Sequence, residues 1–183
     1  MDQKEAFIKA IKILKELKMP YMIVGGFAVS FWGEPRSTHD LDIAIEIKSK
    51  DKNNLIKIFR KNGYYIDEVA IEEAVDLKKM FNVIHPESEL KIDFWIIGDD
   101  LYSREKFKRR VGQKIFNQNV FLASPEDMIL MKLEWFKKSQ ISKHFLDARG
   151  IYKLQNDIIS QKYLKKWAIK LGLLNILDDL MQK

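Results

Sequence analysis

The chain of 183 residues contains no cysteine, only four prolines and no long apolar run. The absence of cysteine excludes disulfide bonds and thiolate-bound metals, and it agrees with a reducing compartment. A transmembrane helix needs about 20 consecutive apolar residues, whereas charged residues interrupt every apolar run of this chain well before that length. Charges also interrupt the first 17 residues, which therefore lack the apolar segment of a secretion signal. We expect a cytoplasmic protein with no membrane-spanning part.

Negative charge is scarce in the second part of the chain, so the two parts differ strongly in net charge. The formal net charge is +6. Residues 1–100 contain 15 Lys and Arg against 18 Asp and Glu, a net charge of −3, whereas residues 101–183 contain 17 against 8, a net charge of +9. Such an asymmetry is typical of proteins with an anionic partner. A solvated basic surface explains it as simply, so charge alone leaves both interpretations open.

Hydrophobic periodicity divides the chain into a mixed part and a helical part. Residues 3–18 repeat apolar side chains at helical spacing and end before a proline, whose preceding residue avoids helical angles. Two apolar runs, 81–85 and 90–97, flank a four-residue turn and predict a β-hairpin. Ser124 is a helix cap followed by Pro125 at the first helical position, and the pattern is helical from there to the end.

We therefore predict an α+β (mixed) fold, with a small mixed β-sheet flanked by helices in residues 1–123 and a helical bundle in residues 124–183. The chain has no internal repeat, low-complexity tract or flexible linker that would suggest another organisation. Further helices are expected over residues 51–62, 69–80, 103–110, 125–138, 141–155, 160–171 and 173–181, with a short strand at 64–66 and a second hairpin whose turn is Asn117-Gln118-Asn119.

One stretch combines a glycine pair with two closely spaced carboxylates. Gly25 and Gly26 follow the apolar run 21–24, and Asp40 and Asp42 open a second apolar run after a polar turn. Glycines allow backbone amides to approach a phosphate closely. Alternate residues of a strand share a face, so the two carboxylates should project side by side and repel unless a cation such as Mg²⁺ lies between them. The stretch therefore predicts a phosphate-binding turn beside a divalent-cation site.

Asp93 is the one charged residue in the apolar segment IDFWII of the predicted hairpin. A buried, unpaired carboxylate is costly, so Asp93 needs a salt bridge, a solvent-facing position or a metal ion. With Asp40 and Asp42 on an adjacent strand, it would complete a site for two Mg²⁺ or Mn²⁺ ions, which activate an attacking oxygen and stabilise the leaving one. Nucleotidyl transfer from a nucleoside triphosphate requires both effects, and Asp93 would also act as base for the acceptor hydroxyl.

These motifs resemble a known superfamily. The residues Gly25-Gly26, Arg36, Thr38, Asp40-Leu41-Asp42 and Asp93 are similar to the motif of the nucleotidyltransferase superfamily of DNA polymerase beta. The polar turn that ends at Asp42 resembles the stand-alone bacterial and archaeal branch, which includes AbiEii-type toxins of toxin–antitoxin systems and lincosamide-modifying nucleotidyltransferases. The resemblance covers roughly residues 4–150.

The resemblance implies a role for each matching position. Asp40, Asp42 and Asp93 would be the catalytic, metal-binding residues of a core formed by residues 1–123, with a nucleoside triphosphate such as ATP as donor. The glycine pair, Arg36 and Thr38 would contact the nucleotide. Taken without the resemblance, Arg36 is a surface turn residue, although its guanidinium fork suits a phosphate, and Thr38 holds the turn before the strand. His39 is expected to face away from the carboxylate pair, because neighbouring strand residues point to opposite faces.

The same resemblance indicates two candidate nucleotide-binding positions in the helical part of the chain. The segments SPEDMILMKLEWF and KHFLDARGIY resemble the toxin-type branch, in which one helix carries a lysine and the next an aspartate. The resemblance implies that Lys132 contacts the triphosphate and that Asp147 orients it. Taken alone, Lys132 is a solvated helix lysine, and Asp147 pairs with Lys143 four residues earlier on the same helix face.

The acceptor stays open at this point. The basic segment of residues 104–110 is able to bind an RNA such as tRNA through its phosphates, or it is simply a solvated helix face. Lys132 and Asp147 favour the toxin-like resemblance, which implies a nucleic-acid acceptor and a cognate antitoxin as partner. The lincosamide-modifying enzymes, which imply a small hydroxylated antibiotic as acceptor, are the alternative. A catalytically silent, nucleotide-binding regulatory protein is the alternative to an enzyme.

Overall fold

A computed structural model describes residues 2–38 and 40–182, so that His39 and the expectation for its side chain lie outside the described residues. Within these ranges the first two-thirds of the chain alternates helices and strands. They are α1 (Gln3–Glu16), β1 (Tyr21–Ile23), α2 (Gly25–Trp32), β2 (Asp40–Ile45), α3 (Lys52–Lys61), β3 (Tyr65–Ile66), α4 (Glu68–Leu77), β4 (Met80–His85), β5 (Leu90–Ile96), α5 (Leu101–Lys108), β6 (Val111–Ile115) and β7 (Gln118–Leu122). The remainder is helical: α6 (Pro125–Ser139), α7 (Ser142–Gln155), α8 (Gln161–Leu171) and α9 (Leu174–Gln182). The predicted α+β fold with C-terminal helices is confirmed.

The chain forms two compact units. The first comprises Met1–Phe27 and Thr38–Leu122 and contains the sheet, and the second comprises Ala28–Ser37 and Ala123–Lys183. The chain therefore passes into the second unit within α2 and returns just before β2. The predicted separation into domains at residue 123 stays a prediction.

The sheet has seven strands in the order β3-β4-β5-β2-β1-β7-β6. Strands β2 and β5 run parallel, as do β1 and β7, and the other neighbours are antiparallel. The hairpin of β4 and β5 is the one that the apolar runs predicted. In β2 the alternate residues Leu41, Ile43 and Ile45 are buried, which leaves Asp40 and Asp42 half-buried on the opposite face.

The core of the first unit lies on the apolar face of the sheet. Helix α1 buries Phe7, Ile11 and Leu14 and contacts α3 and β5. The ring of Phe94 on β5 is stacked on Phe81 at 5.1 Å and meets Phe59 edge-to-face at 5.6 Å. Offset and edge-to-face ring pairs add to the free energy gained by burial. This packing fixes β5, and with it the polar residues on the other face of that strand.

In the second unit, α6 begins as the sequence predicts. The Ser124 side chain accepts a hydrogen bond from the Asp127 amide at 3.2 Å, with Pro125 next to the cap. Asp127 is completely buried, and its carboxylate also accepts from the hydroxyl of Tyr163 in α8 at 2.8 Å. The cap therefore joins α6 to α8. No helix among the described residues is long and apolar enough to cross a membrane.

Three local predictions are corrected by the structure. The second hairpin turns at Phe116-Asn117, where both residues have positive φ (47° and 60°), and Gln118 and Asn119 belong to β7. Helix α4 ends at Leu77 because Lys78 adopts a left-handed conformation, so Met80 begins β4 and does not end a helix. The helix predicted over residues 51–62 is α3, which begins one residue later, at Lys52, and ends at Lys61.

Candidate functional site

Three carboxylates lie on one face of two neighbouring strands of the first unit. The parallel register of β2 and β5 pairs Asp42 with Asp93 and Asp40 with Lys91. Because alternate strand residues share a face, the three carboxylates and Lys91 project from the same side of the sheet. The exposed Asn82 of β4 pairs with Asp93 from the other side and continues this polar row. The backbone therefore places Asp40, Asp42 and Asp93 as the sequence predicts, while their catalytic role stays a prediction.

The carboxylate of Asp93 has two different environments. Its Oδ2 accepts a hydrogen bond from the ammonium of Lys91 at 2.9 Å, whereas its Oδ1 is buried and has no hydrogen-bond partner. The hydrogen bond to Asp93 raises the pKa of Lys91 above its ordinary value, and the charges of Asp93, Asp40 and Asp42 raise it further against a smaller effect of burial. The charges of all three carboxylates therefore favour the protonated form of Lys91.

Asp42 is held between strand and helix. Its Oδ1 accepts a hydrogen bond from the indole N–H of Trp95 at 3.1 Å, and its backbone carbonyl accepts from the Val24 amide at 2.9 Å. Gly25, the first residue of α2, has a φ of +63°, and a Cβ added there would lie 1.9 Å from Asp42 Oδ2. Only glycine permits both the left-handed backbone and this approach. The predicted glycine turn thus lies directly against the carboxylate pair, with Gly26 as the second residue of the helix.

Thr38 acts on the backbone at the entry to β2. Its hydroxyl donates to the carbonyl of Asp40 at 3.1 Å. This contact supports the interpretation that Thr38 holds the turn before the strand.

The residues on this face suit a hard divalent cation in their chemistry. They offer carboxylate oxygens, which Mg²⁺ and Mn²⁺ prefer, and the buried Oδ1 of Asp93 is a polar atom without a partner. In the positions seen for residues 2–38 and 40–182, however, no group of three or more His, Cys, Asp and Glu side chains converges as a metal-binding set. One oxygen each of Asp93 and Asp42 is engaged by Lys91 and Trp95. The carboxylate oxygens fit the metal, and Lys91 and Trp95 hold the side chains of Asp93 and Asp42.

A second charged cluster lies within the other unit. The carboxylate of Asp147 accepts two hydrogen bonds from the Arg36 guanidinium, from Nε at 3.1 Å and from Nη2 at 3.2 Å, and it contacts Lys132 Nζ at 2.7 Å. Burial raises the pKa of Asp147, but the hydrogen bonds and charges of Lys132 and Arg36 together hold it below its ordinary value. The cluster combines two cations with one carboxylate. Asp147 therefore pairs with these residues and not with Lys143, the partner that helix spacing suggested.

The position of Arg36 is set by the turn that follows α2. The Ser30 hydroxyl donates to the Arg36 carbonyl at 3.0 Å and accepts from the Arg36 amide at 3.3 Å. The preceding Trp32 is buried and donates its indole N–H to the Ala123 carbonyl at 2.9 Å. These contacts direct the Arg36 side chain to Asp147.

The basic segment of residues 104–110 makes contacts within the protein. Arg104 forms ion pairs with Glu46 and Asp99. Arg110 donates to the Phe107 carbonyl at 2.7 Å, and its guanidinium lies over the rings of Phe107 and Phe121. Lys106 lies over the ring of Tyr102 at 5.0 Å. These contacts favour a structural role for the segment over phosphate binding.

Sequence reasoning missed Lys91, Trp95 and Ser30. Lys91, Asp93 and Trp95 alternate along β5, so strand periodicity would have placed all three on the face of the carboxylates. Ser30 has no comparable signal, because its contact depends on the path of a turn six residues later.

The chain matches a nucleotidyltransferase family model over most of its length, and the protein is an enzyme of that class. The family model of aminoglycoside-2''-adenylyltransferase matches residues 6–148, and the chain belongs to that family.

Several solved structures share the fold. An antigenic nucleotidyltransferase-like protein from Paracoccidioides brasiliensis is 17% identical with a TM-score of 0.65, over 100% of this chain and 89% of that one. ANT(2'')-Ia, in complex with adenylyl-2''-tobramycin, is 14% identical with a TM-score of 0.59, over 93% and 97% of the two chains. The lincomycin-bound lincosamide antibiotic adenylyltransferase LnuA is 14% identical with a TM-score of 0.56, over 84% and 98%. Such identities show the fold alone.

No curated protein sequence gives a significant match. The comparisons together show a nucleotidyltransferase and do not show a particular closeness to AbiEii-type toxins.

Proposed function

We propose that the protein transfers the adenylyl group of ATP to a hydroxyl of a small acceptor molecule in a reaction that depends on Mg²⁺. The observation that carries the proposal is the single face formed by Asp40, Asp42 and Asp93, directly against the glycine that starts α2. Membership in an adenylyltransferase family supports ATP as donor and a small hydroxylated acceptor.

Each carboxylate has a part in the proposed reaction. Asp40, Asp42 and Asp93 hold Mg²⁺, which when bound neutralises charge on the triphosphate and on the attacking and leaving oxygens. Asp93 accepts the proton of the acceptor hydroxyl. The acceptor oxygen then forms a bond to the α-phosphorus, the bond from that phosphorus to the bridging oxygen breaks, and pyrophosphate leaves with the electron pair.

The nucleotide-binding roles of Arg36, Lys132 and Asp147 stay a proposal, which the charge of their cluster within the second unit supports. Arg36 and Lys132 carry one more positive charge than Asp147 balances, which leaves the cluster able to attract an anion. Asp147 would orient both cations. The amides of Gly25 and Gly26 at the start of α2 are the third proposed phosphate contact.

A labelling experiment tests the proposal. The protein is incubated with each α-labelled nucleoside triphosphate, Mg²⁺, and either a panel of hydroxylated small molecules, aminoglycosides and lincosamides included, or total tRNA. We expect label from ATP on a small molecule, and a rate lower by about 10²- to 10⁴-fold for Asp93→Asn. Asp76→Asn, an exposed carboxylate of α4, is the control and should leave the rate unchanged.

The other outcomes assign other functions. Label on tRNA would place the protein with the RNA-modifying toxins that its motifs resemble. Binding of ATP that requires Mg²⁺, without release of pyrophosphate in the presence of any acceptor, would indicate a silent regulatory protein. An Asp93→Asn variant as active as the control would refute the proposed site.

A further inference from the structure

Lys91 lies on the carboxylate face although nothing in the proposed chemistry requires a lysine there. It precedes Asp93 by two residues on β5 and faces Asp40 across the parallel register with β2. Its ammonium donates to Asp93 Oδ2 at 2.9 Å. The side chain of Lys91 is 37% exposed, whereas that of Asp93 is 11% exposed. The ammonium therefore covers a nearly buried carboxylate oxygen from the solvent side.

We propose that Lys91 is a built-in counter-ion of Asp93 that reduces the repulsion on the carboxylate face of the metal-free protein and is displaced from Asp93 Oδ2 when a divalent cation binds. The inference rests on the proposed function in one respect, namely that Asp40, Asp42 and Asp93 are the metal-binding residues.

Charge balance is the first argument. Three carboxylates on two adjacent strands repel one another, and part of that repulsion must be relieved for the sheet to be stable without metal. Lys91 donates to Asp93 Oδ2 at 2.9 Å and lies opposite Asp40 in the register of β2 and β5, so its ammonium relieves part of this repulsion.

Competition for the same lone pairs is the second argument. A divalent cation binds carboxylate oxygens directly, and an ammonium bound to Asp93 Oδ2 both occupies a lone pair and repels the incoming ion. Asp93 Oδ1 is buried without a hydrogen-bond partner, so only one of the two oxygens is engaged by the lysine. Movement of the flexible side chain of Lys91 frees Asp93 Oδ2 without any change in the backbone.

The inference predicts opposite effects of one substitution on two properties. Lys91→Met keeps an unbranched apolar stem and removes the charge. We expect this variant to bind Mn²⁺, measured by calorimetry without nucleotide, on the order of tenfold more tightly than the wild type, because a neighbouring charge shifts ionic equilibria by that factor or more. We also expect a lower unfolding temperature in EDTA at low salt, and recovery of that loss on addition of Mg²⁺.

Two further variants serve as controls. Lys114→Met removes an exposed lysine from β6 of the same sheet and should change neither property. Lys91→Arg keeps the positive charge and should retain the wild-type stability in EDTA and an Mn²⁺ affinity close to that of the wild type. The Lys91→Arg variant also keeps the inference testable if the Lys91→Met variant does not fold.

The outcomes separate this inference from the proposed function. If Asp93→Asn weakens Mn²⁺ binding while Lys91→Met leaves it unchanged or weaker, the carboxylates bind metal and the counter-ion inference alone is wrong. If the wild type and all variants fail to bind Mn²⁺, both the metal part of the proposed function and the inference are refuted. Tighter binding by Lys91→Met, with no nucleotidyl transfer to any acceptor, would support the inference and contradict the proposed reaction.

Discussion

The carboxylate of Asp147 is shared by two cations that come from distant parts of the chain. Arg36 precedes it by 111 residues, and Lys132 lies on the preceding helix. Asp147 and Lys132 are buried, and the Arg36 side chain is 27% exposed. Removing one member of such a buried set leaves charges that neither water nor a partner compensates. The cluster is therefore sensitive to single substitutions at neutral pH, whether or not it binds phosphate.

Asp147→Asn should lower the free energy of unfolding at pH 7 by about 3 kcal/mol, because it leaves two cations without their carboxylate. Because the pKa of Asp147 is lowered from its ordinary value of 3.8, its contribution to stability is present above that value and is lost as the pH falls through the lower pKa of the folded state. Urea unfolding between about pH 5 and pH 2 should show a smaller loss for the variant than for the wild type.

Asp157→Asn is the matched control for this experiment. Asp157 is exposed just beyond α7, so its substitution should change the free energy of unfolding by less than about 0.5 kcal/mol. If acid lowers the free energy of unfolding equally in Asp147→Asn and in the wild type, the pKa of Asp147 is not lowered in the folded protein.

At the scale of elements, local signals predicted most of the helices and both hairpins, although they misplaced the turn of the second hairpin. The cap at Ser124 and the alternation in β2 depend on residues a few positions apart, which is why they are readable from the sequence. The turn of the second hairpin is different. Phe116 adopts a positive φ there, with its ring edge-on to Phe7 at 5.6 Å and beneath the ammonium of Lys4. Contacts with α1 accompany this turn, and its own sequence does not reveal them.

The junction of β1 and α2 supports a prediction at this scale. Gly25→Ala would place a methyl group on Asp42 Oδ2 and force alanine into the left-handed region. The expected loss in the free energy of unfolding is about 3 kcal/mol, from overpacking and backbone strain together. Urea unfolding measures it, and Gly112→Ala is the control, since a Cβ at Gly112 would meet its nearest neighbour at 3.8 Å. Similar stabilities of the two variants would contradict the close approach of Gly25 to Asp42.

At the scale of the whole molecule, the net charge of +6 is a weak guide to the partner. Arg104, Lys106 and Arg110 are in the basic part of the chain, and all three make contacts with carboxylates, a carbonyl or aromatic rings of the protein. These three charges contribute to the net charge, although contacts within the protein already engage their side chains. The charge asymmetry alone therefore does not favour an RNA acceptor over a small one.

Nucleotide binding should stabilise the whole molecule. A ligand that binds only the folded state, at 100 times its dissociation constant, adds about 2.7 kcal/mol, which corresponds to a rise of roughly 5–10 °C in the unfolding midpoint of a chain of this size. We expect such a rise with a non-hydrolysable ATP analogue and Mg²⁺, measured by thermal unfolding, and a much smaller one for Asp42→Asn. Equal rises in the two proteins would show that the analogue binds elsewhere.

The sequence by itself determined the class of chemistry, because the features that carry it are local. A glycine pair after one strand and carboxylates at alternate positions of the next are patterns that backbone geometry translates directly into position. Only the tertiary structure decided which charges pair. Asp147 forms ion pairs with Arg36 and Lys132 and not with Lys143. Lys91 pairs with Asp93. Arg104 pairs with Glu46 and Asp99. Arg36 and Asp147 are 111 residues apart and Glu46 and Arg104 are 58 apart, so packing and burial choose these partners and sequence spacing does not.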